Sequence, residues 1–298
     1  MRELILIYNP VAGKRRFLNY LDKFIQRFQS EGYNISLYRT TADGDLSSIF
    51  KIIAAKSYDV LVVAGGDGSI NEVVNGIMKY KIDVPLGVIP AGTANDFASH
   101  LNIPLDIEES FNVISRSKLE KVDVGEVDGR YFINVCAGGL LANVAHDIDL
   151  TLKNTLGKLG YYLKGVKELP NFKPIPARIT TRSKVIEEYI YLFLILNGSS
   201  AGGFNRLAPK ASIKDGYFDL IGIKALPLHE LPKLFIKIVQ GEHLNDHNVI
   251  YLRDSYFKIE MTGKEEIIGS SDIDGEVGPA LPLEIKLHQG VLKVFSNL

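Results

Sequence analysis

The chain is short of cysteine, of surplus charge and of long apolar runs, and each shortage excludes something. One cysteine in 298 residues rules out an internal disulfide. That residue, Cys136, lies in the apolar run FINVCAGG at 132–139, which suits a buried thiol in a reducing cytosol better than a nucleophile. The 34 Lys and Arg against 35 Asp and Glu leave a formal net charge of −1, with Lys14-Arg15-Arg16 the tightest basic cluster, so nothing here attracts nucleic acid. No run approaches the about 18 apolar residues of a membrane-crossing helix; the longest candidate, YIYLFLIL at 189–196, is of strand length. The opening MRELILIYNP has too short an apolar run for a signal peptide, carries Glu3 inside it, and reads as a first strand. The expectation is a cytoplasmic protein, at most peripheral to a membrane.

What is present centres on residues 59–78, DVLVVAGGDGSINEVVNGIM. Val60 to Val63 form an uninterrupted apolar run, as in a parallel strand buried on both faces. Gly65, Gly66 and Gly68 then permit a tight turn with close backbone approach to a ligand. Ile70, Val73, Val74, Ile77 and Met78 repeat at helical spacing, and Ser69 with Glu72 predicts a capping box. Strand, glycine turn and helix N-terminus together suit a phosphate, because unbonded N–H groups and the helix dipole point at it. The spacing matches neither the dinucleotide fingerprint nor the Walker lysine loop. Asp67, inside the turn, would repel a phosphate unless a cation or hydroxyl intervened, which points to chemistry rather than architecture.

The same strand–turn–helix rhythm runs from the first residues. Strands are predicted at 3–8, 34–38 and 86–90 around that central one. The first is followed by a helix bearing Phe17, Leu21, Phe24, Ile25 and Phe28, and a short helix follows the loop Ala91–Asp96. This alternation predicts a doubly wound parallel α/β domain over 1–125, with its loops at the strands' carboxyl ends. Beyond about residue 118 strands dominate (KVDVGEV, RYFINVCAGG, PARITTRS, EEYIYLFLILNG, YFDLIGIK, SYFKIEM, LEIKLHQ), predicting an antiparallel β domain over 126–289. Helices are expected near 150–169 and near 227–240, the latter through Leu228, Leu231, Leu234, Phe235 and Ile238. A last strand near 290–298 would return to the first domain.

Asn9-Pro10-x-Ala12-Gly13-Lys14, GGDGSINEVVNGI (65–77), GTANDFA (92–98), KVDVG (121–125), LGKLGYYLKG (156–165), APKASIKDGYFDL (208–220) and DGEV (274–277) occur in this order. Together they resemble the bacterial diacylglycerol kinases and YegS-like lipid kinases, relatives of sphingosine and ceramide kinases. The resemblance implies a Rossmann-like, NAD kinase/phosphofructokinase-like domain and a β-sandwich holding ATP between them. It also implies Mg²⁺-dependent transfer of the γ-phosphate to diacylglycerol or a related lipid alcohol at a membrane surface. ATP contacts are implied at Asn9, Pro10, Val11, Ala12, Gly13, Thr40, Gly66, Asp67, Gly68, Ser69, Ile70, Asn71, Glu72 and Thr93.

Glu276 matches the family's proposed general base, and Asp274 would share its side if the segment is extended; the ordinary alternative is an Asp-Gly hairpin turn. Asp67 is the rival base or a ligand for metal or water. Asp96 and Asp123 are candidates for an acidic network around it, against a helix-start carboxylate and an exposed strand residue respectively. The resemblance implies a structural Mg²⁺ held by the Asp215 carboxylate and the Ser212 and Tyr217 carbonyls. Lys14 is expected to meet a phosphate and Lys164 to engage lipid, although the stripe Leu152, Leu156, Leu159, Leu163 and Val166 reads more readily as core. His243 and His247 are not assigned a metal, since Gly241 and Asn245 weaken any helix that would align them. Oligomeric state stays open between monomer and homodimer. The alternatives are a soluble kinase for NAD, opposed by GTANDFA and DGEV, and a nucleotide-binding regulator without catalysis, opposed by the retained carboxylates.

Overall fold

A computed structural model of the chain describes residues 2–41, 46–116, 118–139, 174–262 and 270–298. It divides into two compact units, one of residues 1–124, 131–133 and 289–298, the other of 125–130 and 134–288.

In the first unit, strands β1 (Arg2–Tyr8), β2 (Tyr33–Arg39), β3 (Val60–Gly65) and β4 (Leu86–Pro90) alternate with helices α1 (Leu21–Ser30), α2 (Ser47–Ala55), α3 (Asp67–Lys79), α4 (Asp96–His100) and α5 (Ile107–Ser115). The strands pair in parallel in the order β2–β1–β3–β4, and the end of the last strand, through Val294, adds to β4. Every residue of β3 and β4 is buried, which explains why both read as unbroken apolar runs. Phe24, on α1, meets Phe111, on α5, edge-on at 5.4 Å, and Phe17 and Phe28 join the same aromatic core. The first helix starts later than its apolar spacing predicted. Residues Ala12–Tyr20 form an irregular 3₁₀ stretch with Gly13, Lys14 and Arg15 at positive φ, so α1 begins only at Leu21.

The topology has a switch point. β1 has β2 on one side and β3 on the other, so the strand order reverses between β1 and β3, the kind of point at which open α/β sheets form a crevice at the carboxyl ends of their strands. The loops after β1 and β3 meet at that point.

The second unit is antiparallel. It contains β7 (Val135–Gly139), β8 (Ile175–Thr180), β9 (Val185–Leu196), β10 (Phe218–Lys224), α6 (Leu231–Gln240), β11 (Val249–Asp254), β12 (Tyr256–Met261), β13 (Ser270–Ile273) and β14 (Glu276–Ala280). The chain passes between units within β5 (Leu119–Val127) and β15 (Leu283–Phe295), with the short β6 (Arg130–Phe132) between. Long β9 pairs along one edge with β8 and then β7, and along the other with β10. Tyr191, Leu196, Ile221, Leu234 and Val249 gather in the unit's core. The predicted helix over 227–240 forms from Leu231, with Pro232 in its first turn, but Phe235 is turned outward. The helix expected at 150–169 lies outside the described residues. No described helix is long and apolar enough to cross a membrane.

Candidate active site

Three loops close on one another at the carboxyl ends of β1, β3 and β4. The Asn9 N–H donates to the Ala64 carbonyl at 3.0 Å and the Ala91 N–H to the Gly65 carbonyl at 2.8 Å, tying both flanking loops to the end of β3. They approach so closely that side chains are excluded. A Cβ on Gly13 would collide with the Ala91 carbonyl oxygen, and one on Gly92 with Gly66 Cα. Asn9 completes the closure, its Oδ1 accepting the Val11 N–H at 3.0 Å and its Nδ2 donating to Ser69 Oγ at 3.2 Å.

α3 begins at Asp67, not at the predicted capping box. Gly66 is the N-cap in extended conformation, no side chain caps it, and the Ile70 N–H already donates to the Gly66 carbonyl at 3.1 Å. Ser69 is therefore inside the first turn, its hydroxyl facing Asn9. The N–H groups of Asp67, Gly68 and Ser69 precede the first intrahelical bond and remain for a ligand. The glycine loop and helix start suit a phosphate, since Gly68 has open space where a Cβ would lie.

The Asp67 carboxylate, feared to repel that phosphate, is turned toward α4. Its Oδ1 accepts the Phe97 N–H at 3.1 Å, and the N–H groups of Asp96 and Asn95 also stabilise its charge. Burial nonetheless outweighs these and raises its pKa above the ordinary carboxylate value, with the neighbouring Asp96 charge adding to the rise. A raised pKa makes a stronger proton acceptor. Asn95 sets the α4 start from a left-handed conformation, φ 54°, bracing Gly92 through paired bonds of 2.9 and 3.1 Å. His100, at the end of α4, has its pKa lowered to about 4 by burial, partly opposed by Asp67, so it is neutral at physiological pH. Sequence reasoning missed both; GTAND was recognised, but a single left-handed asparagine leaves no periodicity.

The other expected nucleotide contacts divide. Val11 and Thr93 are exposed on their loops, while Pro10 is buried and Ala12 is partly so. Thr40 is buried and its N–H donates to the Tyr8 carbonyl at 3.0 Å. Ile70 is fully buried, leaving only its backbone near the turn. Asn71 Nδ2 donates to the Tyr131 carbonyl at 3.2 Å, and Asn75 grips the same residue's carbonyl and N–H at 2.8 Å each. Glu72 is partly buried. Asp123 is fully buried rather than an exposed strand residue, its Oδ1 accepting the Gly290 N–H at 2.8 Å. Asp96 is buried at the start of α4.

Lys14 and Arg15 are exposed at φ 61° and 69°, in the left-handed region that ordinary side chains avoid. Lys14→Gly should relieve this strain and raise unfolding free energy by about 0.5–1 kcal/mol, the gain being reduced by the entropy of glycine in the unfolded chain. If the ammonium meets a substrate or product phosphate, the same variant lowers kcat/KM; thermal melts and steady-state kinetics read the two effects separately.

In the second unit, the DGEV segment is a hairpin turn. Asp274 and Gly275 have φ 51° and 91° between paired Ile273 and Glu276, as a two-residue type I′ hairpin requires. The extended geometry that would align Asp274 with Glu276 does not occur. Asp274 Oδ1 accepts the N–H groups of Asn134 and Val135 at 3.0 and 2.8 Å, and Asp272 Oδ1 accepts that of Gly275 at 2.9 Å, pinning the turn to its sheet. Glu276 is exposed and paired with Arg130 at 3.0 Å.

At the 212–217 turn, the carboxylate that the resemblance assigns to Mg²⁺ is engaged by two protein groups. Asp215 Oδ2 is paired with Arg253 and its Oδ1 accepts the Tyr217 N–H at 3.0 Å, while the same guanidinium lies 4.6 Å from the Tyr217 ring centroid. These contacts use two of the carboxylate's about four acceptor sites, so a cation held with the Ser212 and Tyr217 carbonyls would share Asp215 with Arg253. No group of three or more His, Cys, Asp or Glu side chains placed to hold a metal occurs among the described residues. His243 is fully buried and the His247 side chain is 85% exposed, so they form no pair. Mg²⁺ held there should raise the melting temperature of nucleotide-free protein above its value in EDTA, and Asp215→Ala should remove that difference. Lys164 lies outside the described residues.

Residues 3–127 match the diacylglycerol kinase catalytic domain, and residues 134–296 the YegS C-terminal NAD kinase beta sandwich-like domain. The diacylglycerol kinase of Bacillus subtilis is 39% identical over 285 residues, covering 95% of this chain and 93% of that protein. That of Staphylococcus carnosus is 37% identical over 286 residues, covering 95% and 92%. The crystal structure of a diacylglycerol kinase from Bacillus anthracis superposes with a TM-score of 0.81 at 27% identity, over 99% of this chain and 97% of that one.

Proposed function

Since the chain belongs to the diacylglycerol kinase family, we propose that it transfers the γ-phosphate of Mg-ATP to the hydroxyl of diacylglycerol or a related lipid alcohol, working as a peripheral protein at the cytoplasmic membrane surface. The observation that carries this reading is the close approach of Gly13 to Ala91 and of Gly66 to Gly92 beside the start of α3. Such a backbone-lined turn suits a polyphosphate, and the topological switch between β1 and β3 is where open α/β sheets bind nucleotides.

In this reading the N–H groups of Gly68 and Ser69 bind ATP phosphate, with Asn9 keeping the two loops closed. Asp67, its basicity raised by burial, accepts the proton of the lipid hydroxyl as the new P–O bond forms and the bond to ADP breaks. Mg²⁺ enters as part of the substrate Mg-ATP. Glu276, placed first among bases by family resemblance, is held by Arg130, and Asp274 keeps its turn in place.

Incubation with labelled ATP and either diacylglycerol in mixed micelles or NAD in solution tests the proposal. Label should enter the lipid. Label in NAD alone, or ATP binding with transfer to no lipid, would overturn it.

A further inference from the structure

Helix α6 carries a wider apolar arc than its core contact uses. Leu234 is buried, and Leu231 and Ile238 pack against the same core cluster. Phe235, Ile236 and Val239 continue the arc around the outer side of the helix, 38, 56 and 55% exposed. Three large apolar side chains on one outward ridge are unlike a solvated helix, whose outer face is ordinarily polar. Phe235 also meets Phe204 edge-on at 6.5 Å, extending the ridge onto the loop before Arg206.

Charge around the helix is mostly basic, the exceptions being Glu230 just before it and exposed Glu242 just after it. The helix has no acidic residue. Lys237 is paired with Asp246 at 2.6 Å, but exposed Lys233 has no ion-pair partner among the described residues. Nor has Arg206, whose side chain lies beside Gly241 at the helix C-terminus. An apolar ridge fringed by unpaired cations is complementary to the headgroup region of an anionic bilayer, where apolar side chains enter and cations meet lipid phosphates. A second copy docked symmetrically would instead bring these same cations together.

We propose that α6 is a membrane-docking element, its Phe235, Ile236 and Val239 entering the interface of an anionic bilayer while Lys233 and Arg206 contact phosphate groups. The choice of a bilayer as occupant rests on the lipid-acceptor reading above. With a formal net charge of only −1 on the whole chain, attraction to such a surface must come from local features of this kind.

The test is co-sedimentation of the full chain with vesicles of equal parts phosphatidylglycerol and phosphatidylcholine. The triple variant Phe235→Ser, Ile236→Ser, Val239→Ser should bind at least tenfold more weakly, and Lys233→Glu should weaken binding to these vesicles but not to phosphatidylcholine alone. Both variants should retain wild-type ATP binding and transfer to a water-soluble short-chain diacylglycerol, which controls for folding and separates this proposal from the catalytic one. Vesicle binding unchanged in the triple variant overturns it. So does a dimer that the variant dissociates while vesicle binding persists. Wild-type protein that docks through α6 but phosphorylates no lipid would instead sink the kinase reading and leave the docking element standing.

Discussion

Asp67→Asn should lower kcat for lipid phosphorylation by about 10²–10⁴-fold, the range expected when a positioned proton acceptor is removed, while raising the thermal midpoint at neutral pH. The two effects share a cause. Burial lifts the folded-state pKa of Asp67 above its unfolded value, so between those values the folded chain holds the extra proton. Stability therefore falls as pH rises through that window, and the full penalty applies above the folded pKa. Asparagine cannot ionise, escapes the penalty, and can still accept the Phe97 N–H through its carbonyl oxygen. A variant inactive and also less stable would mean that Asp67 acts as a structural anion rather than a proton acceptor. The acid limb of the wild-type pH–rate profile should report this raised pKa, and Glu276→Gln should leave that limb in place.

Gly92→Ala is expected to have the second largest effect. The new Cβ would meet Gly66 Cα, a backbone atom that no rotamer change can move, and would crowd Asn95 Oδ1 at 2.8 Å. The loops after β3 and β4 must then separate, opening the turn that presents the first N–H groups of α3. We expect at least a tenfold rise in the dissociation constant for ATP and destabilisation of about 1–3 kcal/mol, as for overpacking of a close-packed site. Gly68→Ala is the control for stability alone, because no protein atom lies within 4 Å of a Cβ there, although bound phosphate would. Equal destabilisation in both variants would show that glycine flexibility, rather than close approach, is what the turn needs.

The parallel sheet was legible because its strands are buried on both faces and so appear as unbroken apolar runs, with β4 recovered to the residue at Leu86–Pro90. The start of α1 was not, because Phe17 keeps the apolar spacing while Gly13, Lys14 and Arg15 reverse the backbone beneath it. Periodicity registers which face is buried, not whether the chain is helical. The same limit explains Phe235, whose position fits the apolar stripe of α6 but whose ring is outward. In the candidate site, the glycine turn and Asp67 were visible as residue types, whereas the partners that set their chemistry came from far along the chain. Phe97 lies 30 residues from Asp67, and Arg130 lies 146 from Glu276. Arg253, 38 residues from Asp215, pairs with the carboxylate that the resemblance assigned to a metal ion.

That the Asp67-bearing turn is where ATP meets a lipid hydroxyl is the central proposal. Its most direct test measures transfer of label from γ-labelled ATP to diacylglycerol in mixed micelles by the wild type and Asp67→Asn side by side, with ATP affinity determined for both. The predicted result is labelled lipid from the wild type and at least a hundredfold less from the variant, at closely similar ATP affinity. Labelling of the lipid by Asp67→Asn at the wild-type rate would contradict it.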